Sequence, residues 1–191
     1  PGYPNLILEG KYDGLSLLES SDSGVKYLRK LKGFNESSRL IEFDGDDLWI
    51  SHGYKGVFKV NLSEDLFEVK KSKLYNSKNG FPRDKLINVF KIANQLVFTA
   101  DSGFFEYSSA QDEFKSTNRF DGVFESDPTI IDFESDVLNN LYFIERNKLG
   151  ILRPDPSTGF RLEYSSFNKI KGLWNDDLGN VMVLDEKNIL I

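Results

Sequence analysis

Residues 40–75 read LIEFDGDDLWISHGYKGVFKVNLSEDLFEVKKSKLY. Four short runs rich in β-branched and large apolar residues stand out: LIEF at Leu40, LWIS at Leu48, VFKV at Val57 and LFEV at Leu66. Between them lie DGDD, HGYK and SED, and such Gly, Asp and Ser clusters supply the turn chemistry at each break. The stretch therefore predicts four short antiparallel strands in sequence order.

The unit recurs. Runs of the LWI type begin at Leu6, Leu48, Leu96, Leu141 and Val181, a spacing of 40 to 48 residues. A second anchor follows each of them: Gly14, Gly56, Gly103, Gly150 and Asn188. A third precedes four of them, at Leu40, Leu86, Thr129 and Asn168. An open β-sandwich would account for short strands but not for three registers on one period. Four strands per repeat of this length is the sequence signature of a β-propeller blade. Inner strands of a blade are covered on both faces, so LWI and LVF need not alternate, whereas FEVKKS (67–72) alternates and turns polar. The chain opens in a second strand (PNLILEG) and stops in or before a third (NILI). The expectation is an all-β chain of about four blades, with no initiator Met, cut from a ring of six to eight blades. Such a ring needs about 270–350 residues at this period. The blades would run near 1–37 (partial), 38–78, 79–121, 122–167 and 168–191 (partial).

Composition narrows the function classes. The 191 residues include no Cys and one His, which excludes a disulfide framework, a thiolate metal site, a Cys nucleophile and any two-imidazole site. A net charge of −6 argues against a nucleic-acid or anionic-membrane surface. No apolar run is long enough to span a bilayer. Phosphate loops, dinucleotide fingerprints and nucleophile elbows are absent from the sequence. The expected protein is non-catalytic and needs no cofactor or metal.

The string NGFPRDKLINVFKIANQLVFTADSGFFEYSSAQDEF (79–114) resembles the two-component-regulator propeller repeat. DGDDLWISHGYKGVFKV (44–60) and RPDPSTGFRLEY (153–164) are similar to the later parts of that repeat. The pattern is not uniform: its Gly-apolar-Pro entry is clear only at Gly80–Pro82. The resemblance implies the periplasmic, ligand-sensing half of a membrane-spanning regulator of the Bacteroidetes type. An oligosaccharide is the implied ligand. An adjacent propeller or triple-tyrosine domain of the same chain, and a homodimer through the parent protein, are the implied partners; a kinase or helix-turn-helix module would give the output. Two other classes stay open: a protein-interaction scaffold, and a polysaccharide hydrolase or lyase that would use an inward carboxylate such as Asp101.

In a propeller, blade-linking loops and second-to-third strand turns gather on one face, and loops held by a rigid scaffold carry binding residues. That face would collect Tyr12 with Asp13, His52 with Tyr54 and Lys55, Asp101, Arg146 with Asn147 and Lys148, Asp185, and Arg83 from the 76–84 loop. HGYK is the leading candidate, because flanking glycines let an imidazole and a phenol project from a tight turn. The acidic turns Asp44, Asp46, Asp47 and Asp176, Asp177 fall at the opposite end and read as solvated turns. SSDSGVKY (20–27) reads as a hairpin, and Trp49 and Trp174 as core residues. Sequons stand at Asn35 and Asn61.

Overall fold

A computed structural model describes residues 3–92, 95–100, 103–124, 130–145, 147–157, 159–175, 180–186 and 189–190. Every sheet is a consecutive antiparallel meander. The first contains β1 (Leu6–Lys11), β2 (Gly14–Ser21) and β3 (Gly24–Lys30); the second contains β4 (Ile41–Asp44), β5 (Asp47–His52), β6 (Gly56–Leu62) and β7 (Val69–Tyr75). The third is built from β8 (Asn88–Ile92), β9 (Gln95–Ala100), β10 (Gly103–Ser108) and β11 (Glu113–Ser116). The fourth comprises β12 (Ile130–Ser135), β13 (Leu141–Glu145), β14 (Lys148–Asp155) and β15 (Gly159–Asn168), and the last β16 (Gly172–Asn175), β17 (Val181–Leu184) and β18 (Ile189–Leu190). Two compact units result: residues 1–89 with 108–114, and 90–107 with 115–191.

In the first unit, β5 shows why LWI does not alternate. Leu48 and Ile50 join Leu15 and Leu17 of β2, and Leu31 just past β3, in one buried cluster. Trp49, on the other face of the same strand, meets Tyr75 at 5.6 Å and Phe114 at 5.8 Å between ring centroids. Both faces are covered, so all three residues are apolar. By contrast β7 exposes Lys70 through Lys73, as an outermost strand with a solvated edge should.

That outer strand departs from expectation. LFEV is not a strand: β7 begins only at Val69. The Ser63 hydroxyl accepts N–H bonds from Phe67 (3.1 Å) and Glu68 (3.0 Å), and Leu66 turns through φ 54°. A serine-capped loop thus extends past the SED turn and delays the strand by three residues.

In the second unit several phenylalanine rings cluster beside aliphatic core residues. Phe104 meets Phe120 at 4.5 Å and Phe124 at 5.4 Å, and Phe133 stacks on Phe143 at 5.8 Å. Asp132, on a bulged stretch of β12, accepts the Leu173 N–H of β16 (2.8 Å) and the Phe133 N–H (3.0 Å). Burial pushes its carboxyl above the usual carboxylate range, and the two amide donors oppose that shift. This carboxylate ties one sheet to the next.

Candidate functional site

The β5–β6 hairpin is one residue longer than three of its counterparts. Two residues separate the register pairs Lys11–Gly14, Ala100–Gly103 and Glu145–Lys148, whereas three, Gly53, Tyr54 and Lys55, separate His52 from Gly56. Tyr54, at the middle of this turn, is 74% exposed.

The imidazole does not project with it. His52 is 8% exposed, and its Nδ1 accepts the backbone N–H groups of Tyr54 (3.1 Å) and Lys55 (3.3 Å). An accepting Nδ1 places the ring proton on Nε2, which faces Glu36 Oε2 at 3.6 Å. Burial holds the His52 pKa below 6.5; Glu36 pulls it up and Lys55 pushes it further down. At neutral pH the ring is therefore uncharged, and it pins the turn that carries Tyr54 and Lys55.

The sign of the pH dependence follows. A folded pKa below the unfolded value means that the unfolded chain binds more protons, so this contribution to stability is fully present above pH 6.5 and is lost as pH falls from there through the lower folded pKa. Protonated Nδ1 can no longer accept either N–H. The protection factors of the Tyr54 and Lys55 amides in hydrogen exchange should fall over that range and be low and flat in His52→Ala. Pinning by the imidazole would be excluded by protection that stays constant in the wild type.

Around this turn the first unit forms a recess of about 680 Å3. Tyr12, from the β1–β2 turn, stands 91% exposed at its rim, and Leu86 lines it 54% exposed. Leu86 adopts φ 54°, a left-handed conformation that a branched apolar residue holds at a cost, and its N–H donates to Gly53 O at 3.2 Å. The loop 33–40 contributes Glu36 and Arg39, with Phe34 buried beneath as its anchor. Lys55 Nζ reaches Glu36 Oε2 at 2.7 Å. Two tyrosines and a leucine in open view, beside fixed charges, make a patch that is apolar on its walls and polar at defined points.

Of the residues singled out from sequence, the fold brings together Tyr12, His52, Tyr54 and Lys55. Asp13 is spent on Lys30 (2.6 Å), whose ammonium holds its carboxyl below the usual range. Arg83 is exposed on the loop that supplies Leu86 but does not line the recess. Asn147 belongs to the other unit, where its φ of 67° closes the β13–β14 turn and its carbonyl accepts Ile170 N–H at 3.0 Å. Asp101 and Arg146, like Asp176 and Asp177, lie outside the described residues. Glu36, Arg39 and Leu86 were not anticipated. Residues 35–39 carry only the sequon at Asn35 as a sequence signal, although their place between blades was itself a pointer.

The acidic turn lies elsewhere. Asp47 is engaged by Lys59 (2.7 Å) and Asn61 (2.6 Å), and Asp46 lines a separate recess with Leu6, Phe43 and Leu62. Among the described residues no group of three His, Asp or Glu side chains is placed to hold a metal ion, and no helix is long and apolar enough to cross a membrane.

No family model matches the chain, and no curated protein matches its sequence. Solved structures do. The extracellular domain of a putative one-component system from B. thetaiotaomicron superposes with a TM-score of 0.63 at 16% identity, over 97% of this chain and 24% of that one. That of a putative hybrid two-component system from the same organism gives 0.60 at 17% identity, over 94% and 24%. The Dos1 propeller gives 0.54 at 9% identity, over 93% and 49%. The chain thus spans about a quarter of the length of the first two. At these identities the likeness establishes the fold: an all-β propeller of four-stranded antiparallel blades, shared with extracellular domains of the regulator class whose repeats the sequence resembles.

Proposed function

We propose that the chain is a ligand-binding, signal-relaying propeller of an extracytoplasmic receptor, and that the recess beside the β5–β6 turn takes an oligosaccharide. One observation carries this: Tyr12 and Tyr54, on separate hairpins, stand exposed beside a recess of about 680 Å3 whose lining includes Glu36, Arg39 and Lys55. Tyrosine rings present flat faces to sugar C–H groups, while carboxylate, guanidinium and ammonium fix hydroxyls. The volume lies inside the range of small-ligand sites, roughly 300–1,000 Å3. The extracellular regulator domains among the structural neighbours support a sensing role over a scaffold or a hydrolase.

Binding here would relay a signal only if the ligand prefers one arrangement of this propeller against a neighbouring domain of the parent chain. The expected setting is the periplasm, with an adjacent propeller or triple-tyrosine domain reading the change.

Calorimetric titration against an oligosaccharide panel, with product analysis of the same mixtures, tests the reading. Binding without products is expected, and Tyr54→Ala should weaken it by about two- to tenfold, the scale of one stacked ring. Released products would make the chain a hydrolase or lyase. Affinity unchanged in Tyr54→Ala would move the site away from this turn.

A further inference from the structure

The recess contains four described side chains that carry charge or can acquire it near neutrality: Glu36, Arg39, His52 and Lys55. Glu36 and Lys55 neutralise each other at 2.7 Å. His52 is uncharged at neutral pH, with Nδ1 committed to the turn and Nε2 directed at Glu36. Arg39 remains. Among the described residues its guanidinium makes no hydrogen bond or ion pair. On a chain of net charge −6, this one recess therefore carries a surplus positive charge.

From this we infer that Arg39 is an anion-recognising group and that the oligosaccharide of this recess carries a carboxylate, as a uronate unit does. The inference rests on the recess being the saccharide site and names the chemistry of its ligand. A guanidinium presents paired N–H donors in one plane, which matches a carboxylate through two parallel bonds.

Arg39 is also held in place. Its N–H donates to Ser51 O at 3.0 Å, and the Ser51 N–H donates to Leu40 O at 2.9 Å, so the backbone on both sides is locked to β5. Its aliphatic stem crosses the turn at Gly53: a Cβ there would stand 3.6 Å from Arg39 Cδ. The stem therefore lies within ordinary van der Waals range of that turn. An arginine pinned in this way forfeits less freedom on binding than one on an open surface. An acidic chain repels an acidic sugar at long range, so a uronate would need such a local positive centre.

The test pairs charged and neutral forms of the same sugars: trigalacturonate, triglucuronate and trimannuronate, each beside its carboxyl-reduced counterpart. Titration into the wild-type chain, Arg39→Gln and Arg39→Lys gives the affinities. At least one uronate should bind, weaken at least tenfold in Arg39→Gln and on carboxyl reduction, and recover only partly in Arg39→Lys. Its affinity should also fall as salt rises from about 20 to 200 mM. A sugar that binds equally well in reduced form, or equally well to Arg39→Gln, would overturn the inference and leave the saccharide site standing. Absence of binding by both charged and reduced sugars would remove the saccharide site, and the inference with it.

Discussion

Trp49→Ala should lower the free energy of unfolding by about 3–5 kcal/mol, the range for a buried aromatic replaced by a methyl group. Trp49 is 1% exposed. Its ring packs against Tyr75 and Phe114, and Phe114 in turn stacks on Phe81 at 4.1 Å. The Lys59 ammonium stands 5.3 Å from its centroid, held there by Asp47. Truncation leaves a cavity bordered by rings that belong to three segments, so no single side chain can swing in to fill it. Trp49→Phe keeps a ring on the same face and should cost less than half as much. Urea denaturation followed by far-UV circular dichroism measures both. If Trp49→Ala cost less than about 1 kcal/mol, the face of β5 that carries Trp49 would be looser than these contacts make it.

How much of this was legible beforehand differs residue by residue. LWI predicted a doubly covered strand, and β5 is one, because burial on both faces leaves its mark on every position. The anchors Gly14, Gly56 and Gly103 were visible as a period and turn out to share φ values of 120–133° at the start of a strand. Gly150 belongs to the period by accident of position. In register it pairs with Phe143, and Lys148 occupies the place equivalent to Gly56. Gly150 is small because Phe143 lies over it: a Cβ would stand 2.1 Å from that ring. Period alone cannot separate a glycine chosen for its backbone from one chosen for its size.

The site was half legible for a related reason. Tyr12, Tyr54 and Lys55 sit in hairpin turns, which recur with the repeat and can be placed by counting. Glu36 and Arg39 lie on a connecting loop whose path depends on Phe34 being buried beneath it and on Ser51 pairing with the loop backbone. Those are contacts across 11 or more positions in the chain, and no local pattern records them. His52 misled in a different way. Its neighbours suggested an exposed imidazole, but an unprotonated ring nitrogen within reach of two amides of its own turn is more stable as an acceptor there than in water, provided the ring is buried.

Gly56→Ala joins the stability of the blade to the integrity of the recess, and it should cost about 3–5 kcal/mol through two separate terms. The first is conformational. Gly56 has φ 122°, a region that L side chains rarely adopt, worth about 1–3 kcal/mol. The second is steric. A Cβ would stand 2.1 Å from the Tyr75 carbonyl oxygen and 3.1 Å from the Asn76 Cβ, where β7 leaves the sheet. Gly24 separates the two terms within the same unit: it has φ 119° but nothing within 4 Å of its Cβ position. Gly24→Ala should therefore cost only the conformational part, and the difference between the two variants measures the clash. Because Gly56 closes the turn that Nδ1 of His52 pins, Gly56→Ala should also reduce the hydrogen-exchange protection of the Tyr54 and Lys55 amides, which Gly24→Ala should leave intact. Equal destabilisation by the two substitutions would mean that the Tyr75 backbone yields freely. The β5–β6 turn would then not be the rigid platform on which the recess depends.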